Sequence, residues 1–478
     1  MADRLSSLDA SFLYLEQATT PLHVGSVMIF EPGPDGFSYE LLLDLVGNRI
    51  SYIPRYRQRV REVPGRVSPP VWVDDEDFDL TYHVRRSALP RPGTVTQLEE
   101  FVARIQARAL DRDRPLWEIY LVEGLERGRF ALVTKTHEAL VDGQNAVDLT
   151  QVIVDADPGR DVALPRLWRP AKPPSDVELL AAAAMDALRR PTEMVRGVRD
   201  AVTGVRSIAT QALSTMGDIA GVLARSVTRP APASPLNRPI GAHRRYVMVE
   251  SDLAAYQAVR TRVTAADNRD TTQDGDGAPV TSITVHAVVL ATITGALRSW
   301  LMTRGEGMAG AEKIRAMVPL SVAGRDGGGG LVVPCFVDLP VGEPRPMMRL
   351  HQVAYDMQQQ VEGGASARSL ASLGGYAPTT LHSLGSRLGS AISRRMFNLV
   401  ITNVPGPQQP LYAADAQLES TFPVIPLAKG QALTIGLTSY DGKVCFGLNA
   451  DRDAMPDLDV LGQCIEDALA ELAQEGAA

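Results

Sequence analysis

Cysteine is scarce in this sequence. Three residues of 478, Cys335, Cys445 and Cys464, stand far apart, which fits a reducing compartment and gives no disulfide framework. No pair has CxxC spacing, so a structural zinc site is not expected. The seven histidines form no close pair either. Excess basic charge is also missing. A net charge of -8 and a pI of about 5.5 argue against a nucleic-acid partner. No apolar run reaches the roughly 20 residues that span a bilayer, and residues 285–297 (VHAVVLATITGAL) read as a buried helix. The N-terminal MADRLSSLDASFLYLE lacks a basic segment followed by an apolar core, so no signal peptide is expected and the cytoplasm is the expected compartment.

Several catalytic signatures are absent. No GxSxG elbow, Walker A loop or GxGxxG after a strand is found. The GGGG at 327–330 lacks the strand–turn–helix setting of a phosphate cradle. One stretch does invite chemistry: THEALVDG, residues 136–143. An HExxH metal motif would need a second histidine at Val141, so that reading fails. A general acid–base centre at His137 and Glu138 is left. Acyl transfer to an alcohol needs a base for the hydroxyl proton and donors for the oxyanion, with no covalent serine or cysteine if both substrates bind together. The competing reading is an isolated histidine that only supports the fold.

The length exceeds one typical core and predicts two domains, with a composition (45% hydrophobic, 22% charged) of the soluble globular type. The expected fold class is α/β, mixed sheets with flanking helices. Residues 23–30 read as a strand, and Tyr39–Ile50 as a helix with Leu42, Leu45 and Val46 on one side. A second helix is predicted over 97–110, with Phe101, Ile105 and Ala109 on one face. In PLWEIYLVEGLERGRFALVTKTH, alternation at Trp117, Ile119 and Leu121, a glycine-bearing turn and a second run at 130–136 predict a hairpin delivering His137 at its end. Asp142 is the expected N-cap of a helix holding Ala146, Leu149 and Ile153.

Residues 161–235 read as a helical crossover ending in a proline-rich linker. They separate an N-terminal domain, 1–160, from a C-terminal domain, 236–478. Arg189, Arg190, Arg196, Arg199 and Arg206 lie among apolar residues there. An interfacial helix over 180–225 and a plain connector with a solvated basic face are both open readings. The polar stretch 264–279 is expected to be a surface loop.

HEALVDG resembles the HHxxxDG motif of the CoA-dependent acyltransferase superfamily. SLDASFLYLE, PLWEIYLVEGL, PLNRPIGAHRR, RAMVPLSV, NVPGP and SYDGKVCFGLNADRD narrow the resemblance to the bacterial wax ester synthase/diacylglycerol acyltransferase family, over nearly the whole chain and most like its actinobacterial triacylglycerol synthases. That resemblance implies two chloramphenicol-acetyltransferase-like halves with a tunnel between them. It implies transfer of a long acyl chain from acyl-CoA, bound as a substrate, to diacylglycerol or a fatty alcohol. No permanently bound cofactor and no metal are implied. A peripheral membrane or lipid-inclusion surface is the further partner.

The motif carries over unevenly. The first histidine corresponds to His137, and the second, the family's general base, falls on Glu138. Asp142, structural in the family, and Gly143 match. Asn403, Pro405 and Gly406 match the segment near the tunnel, as substrate-binding positions. Where the family has Asn-Asp, this chain has His286-Ala287. Three readings of position 138 follow. Glu138 is the base, for which burial must raise an ordinary carboxylate pKa of about 4.3. Or His137 takes over, although neighbours on an extended segment point to opposite sides. Or the chemistry is lost and the chain is a non-catalytic lipid- or acyl-CoA-binding protein of the same fold. The first reading makes Glu138 catalytic and His137 supporting, in triacylglycerol or wax ester synthesis.

Overall fold

The computed structural model describes residues 3–141, 149–159, 168–189, 231–273, 282–306, 312–322, 331–362 and 396–475. In chain order the first half runs β1 (Asp3–Arg4), α1 (Ser7–Leu15), β2 (His23–Glu31), α2 (Tyr39–Ile50), β3 (Gln58–Arg61), β4 (Val71–Asp74), α3 (Leu80–His83), β5 (Val84–Ala88), α4 (Val95–Gln106), β6 (Trp117–Glu123), β7 (Phe130–His137) and α5 (Leu149–Ile153). Helix α6 (Asp176–Arg189) follows. The second half runs β8 (Arg244–Asp252), α7 (Leu253–Gln273), α8 (Val285–Thr303), β9 (Ile314–Val322), β10 (Leu331–Leu339), α9 (Pro346–Glu362), β11 (Leu399–Pro405), β12 (Tyr412–Ala413), β13 (Ala416–Val424), β14 (Leu433–Tyr440), β15 (Lys443–Asp451) and α10 (Leu458–Glu475).

Two six-stranded sheets result, in the orders β12-β13-β2-β7-β6-β5 and β10-β9-β11-β14-β15-β8, with a small sheet β1-β4-β3 beside the first. Both six-stranded sheets are mixed, as the expected α/β class requires: β5 runs parallel to β6, β11 parallel to β9 and β14, and most other pairs are antiparallel. The sheets do not follow the division of the sequence at residue 236. Strands β12 and β13, from late in the chain, pair into the first sheet through β2. That crossing needs close approach. A Cβ at Gly447 would stand 1.9 Å from the Pro423 carbonyl oxygen, so only glycine lets β15 pass the end of β13.

All eight residues of β7 are buried, because both faces of the sheet are covered. Trp117, Ile119, Leu121, Phe130 and Leu132 join the core under α1, α2 and α5, whereas Tyr120, Val122, Ala131 and Val133 join the core under α4. The predicted hairpin forms with Trp117 opposite Thr136, and α2 buries Leu42, Leu45, Val46 and Ile50 as its spacing dictates. Helix α4 starts on a capping box between Thr94 and Gln97 but ends at Gln106, and Ala109 lies beyond it, exposed. The cause is local. Donors rising from the sheet take up the carbonyls of Ile105, Gln106 and Arg108.

The second core surrounds α8, whose residues 287–297 are all buried between α9 and α10. Among the described residues α8 alone has the length and apolarity to cross a membrane, and here it fills the protein interior, as its composition predicted. Helix α7 overturns an expectation. Part of the polar stretch 264–279 is helical as far as Gln273, since Tyr256, Val259 and Val263 anchor the helix and no glycine or proline interrupts residues 264–273; residues 274–279 lie outside the described set. The proline-rich linker is not a free tether where it is described. Leu236 is fully buried, its carbonyl accepts from Ala432 N–H, and Asn237 is bonded by Asn398. Of the crossover, only residues 168–189 and 231–235 are described, so the arginines from Arg190 to Arg206 and, further on, the GGGG stretch lie outside.

Candidate functional site

Strand β7 is central in its sheet and ends at the HEALVDG segment. His137 lies opposite His23 on β2, and its N–H donates to the Leu116 carbonyl (2.9 Å). Glu138 N–H donates to the Leu22 carbonyl (3.0 Å), and the chain then turns, with Leu140 N–H reaching back to the His137 carbonyl (2.9 Å). Glu138 is completely buried. His137 is buried as well, and its ring is committed. Nδ1 accepts the Ala139 N–H (3.0 Å), which puts the ring proton on Nε2, 3.6 Å from Glu16 Oε2.

Glu16 is the hub of this support. Its carboxylate accepts from Arg112 (2.7 Å) and from Leu22 N–H (3.1 Å). Burial pushes its pKa up, but the hydrogen bonds and charges of His137, Arg112 and Leu22 outweigh that and hold it well below the usual carboxylate range. Lys135 and His23 share His137's side of the sheet and serve α4. Lys135 Nζ donates to the carbonyls of Ile105 (3.2 Å) and Arg108, and His23 Nε2 to that of Gln106 (3.0 Å). Burial brings the Lys135 ammonium down to about 8, although Glu118 lies 3.8 Å away. Burial, aided by the Lys135 charge, keeps His23 neutral. These groups satisfy the carbonyls of the helix's last turn and the residues just beyond it.

The loop between α1 and β2 ties this strand end to the second half of the chain. Leu22 holds Glu138, and the carbonyl of Thr19 accepts from Arg244 on β8, itself 3.9 Å from Asp451. On the other face of β7, Ser26 bridges Thr134 and Thr150 (3.0 Å each), fixing the start of α5. Asp142, Gly143 and Ala146 lie outside the described residues.

Asn403, Pro405 and Gly406 sit at the end of β11, which is inside the second sheet as β7 is inside the first. A Cβ at Gly406 would stand 2.3 Å from the Ser439 carbonyl oxygen, so the NVPGP turn needs glycine there. Asn403 Nδ2 donates to His286 Nδ1 (2.9 Å). His286, Asn403, Pro405 and Ser439 line a cavity of about 250 Å³, with Leu253, Val285, Val289, Leu437 and Val444 as its apolar wall. Burial brings the His286 pKa down to about 4, so the ring is neutral. Glu138 is not among the lining residues. The structure thus gathers the sequence-predicted residues at two strand ends, His137 with Glu138 and Asn403 with Pro405 and Gly406.

Sequence reasoning missed Glu16 and Arg112 beside His137, and Lys135 and His23 at the end of α4. Glu16 closes the SLDASFLYLE motif, which was a signal. The others act through contacts distant in sequence. The cysteines are free and buried, and burial pushes the thiols of Cys335 and Cys445 up to about 11 and about 12, far from nucleophile chemistry. Among the described residues no cluster of histidine, cysteine or carboxylate side chains is arranged to hold a metal.

Two mixed sheets, each ending a central strand at a candidate site, form a fold shared with condensation domains. The starter condensation domain of rhizomide synthetase, solved with C8-CoA, superposes with a TM-score of 0.54 at 12% identity over the whole chain and 95% of that domain. The family is narrower. A model of the wax ester synthase/diacylglycerol acyltransferase catalytic domain matches residues 5–268, and one of the C-terminal domain of the same family matches residues 331–473. The chain belongs to this acyltransferase family. Relatives include the probable diacylglycerol O-acyltransferase tgs3 of Mycobacterium tuberculosis, 46% identical over 55% of this chain and 97% of that protein. Another is tgs2 of the same organism, likewise named a probable diacylglycerol O-acyltransferase, 34% identical over 99% of both chains. Among solved structures, the wax ester synthase/diacylglycerol acyltransferase from Marinobacter aquaeolei VT8 superposes with a TM-score of 0.69 at 27% identity, covering 99% of this chain and 100% of that one.

Proposed function

We propose that this acyltransferase moves a long acyl chain from acyl-CoA to the hydroxyl of diacylglycerol or a fatty alcohol, with Glu138 as general base. The observation that carries the reading is the division of labour at the end of β7. The His137 ring is fixed at Nδ1 by Ala139 N–H with its Nε2 held 3.6 Å from the Glu16 carboxylate, while the fully buried carboxylate of Glu138 occupies the next position. Glu138 takes the acceptor's hydroxyl proton as that oxygen attacks the thioester carbonyl. A C–O bond forms, the C–S bond breaks, and the proton passes from Glu138 to the departing CoA sulfur. No covalent enzyme intermediate is needed, consistent with the buried, raised-pKa thiols of Cys335 and Cys445.

The reading includes a lipid surface. On α6, Leu179 and Ala183 face the small sheet, while Val177, Leu180 and Met185 are exposed on the outer side, which supports peripheral contact with a membrane or lipid inclusion. The deciding assay uses purified chain, a long-chain acyl-CoA and either acceptor. Turnover by the wild type that Glu138→Ala abolishes supports the base. A silent wild type that gains activity through Glu138→His overturns it.

A further inference from the structure

The cavity at the end of β11 has a chemistry of its own. Its described wall carries no charged side chain. A CoA phosphate or a free carboxylate would lie there without a counter-charge, at a large desolvation cost. The volume of about 250 Å³ falls just below the range of about 300–1,000 Å³ for whole drug-sized ligands, so it suits one segment of a longer molecule.

Three polar residues, His286, Asn403 and Ser439, interrupt the apolar lining. Asn403 occupies His286 Nδ1, so the neutral ring carries its proton on Nε2. That Nε2 is buried and has no hydrogen-bond partner among the described residues. A buried donor left unmade is costly, and proteins seldom tolerate one without a partner from solvent or ligand. Resting on the acyl-transfer reading above, we infer that the His286–Asn403 pair is a positioning element that donates a hydrogen bond to the single oxygen of an uncharged lipid segment seated in this cavity. The oxygen belongs to an acceptor hydroxyl or to an acyl carbonyl, and both accept the same Nε2–H.

The neutral state of His286 fits that role. A ring with a pKa of about 4 holds no charge at working pH, so it reads an oxygen without attracting anions. Binding is then flat between pH 5.5 and 8.

Titration calorimetry of the full chain tests this without any turnover, so its outcome is separate from that of the Glu138 assay. The probes are 1-octanol, methyl octanoate and octanoate. The wild type is expected to bind 1-octanol, methyl octanoate or both at least about tenfold more tightly than octanoate, a difference of about 1.4 kcal/mol. His286→Leu and His286→Phe should weaken the preferred probe about tenfold, and His286→Gln, which restores an N–H donor, should recover most of it. The alcohol losing affinity assigns the acceptor's oxygen, and the ester losing it assigns the acyl carbonyl. Unchanged affinity in both apolar variants, octanoate bound as tightly as the neutral probes, or wild-type affinity that changes near pH 6–7 would overturn the inference. Melting curves of the three variants identify any that fail to fold, and the Gln variant retains the comparison.

Discussion

The two strand ends differ in charge. At the end of β7 the supporting shell is ionic: Glu16 with Arg112, Lys135 with Glu118, and His137 beside Glu16. At the end of β11 it is neutral, with an imidazole, an amide and a hydroxyl in an apolar wall. Sheets of similar size thus prepare different work. Charges fixed by many bonds hold a strand end rigidly, because a fully bonded ion is costly to displace from a low-dielectric interior. Uncharged groups in an apolar wall demand no counterion.

The comparison breaks most sharply at position 138. Glu138→Gln keeps the shape and removes the base, so kcat should fall about 10²–10⁴-fold, read in a steady-state acyltransferase assay. His137→Ala should act instead on stability, by about 3 kcal/mol, because it strips the Ala139 N–H of its acceptor and removes a partner of the buried Glu16; chemical denaturation measures this. A variant that keeps its stability but loses all turnover would move the chemistry back to His137. Gly406→Ala forces a Cβ against the Ser439 carbonyl and should cost about 2 kcal/mol, seen as a lower Tm, with weaker neutral-lipid binding and unchanged support of His137.

The smallest effect lies where the halves meet. Glu99 on α4 accepts the Met248 N–H of β8 (2.7 Å), and burial raises its pKa from 4.5 to about 7 against the pull of that N–H and of Arg245. Between those values the unfolded chain gives up its proton while the folded chain keeps it, so stability falls as pH rises through the window. Glu99→Gln should flatten that slope, worth on the order of 1–2 kcal/mol between pH 5 and 7, in Tm measured against pH.

Much of the first sheet was legible. Period-two alternation in PLWEIYLVEGL and the glycine turn after it fix the β6–β7 hairpin, and 3.6-residue spacing fixes α2. The extent of α4 was not legible, because Lys135 and His23 end it from 27 and more residues away in sequence. The helical character of residues 264–273 was hidden for a similar reason. Asp, Asn and Thr are weak helix formers, and only the anchoring of Tyr256, Val259 and Val263 overrides them. At the site, the motif pointed to position 138, while the groups that hold the His137 ring are Glu16, just past α1, and the Ala139 N–H of the turn itself.

The sequence by itself determined the class of fold, the family and the two motif segments, since those depend on local spacing and on residue types read in order. Only the tertiary structure decided that β13 crosses into the first sheet, that the His137 ring is buried against the Ala139 N–H and near Glu16, and that His286 meets Asn403 over a neutral cavity. Hydrogen bonds and burial act through space, and residues 286 and 403 become neighbours only when α8 and β11 are packed together.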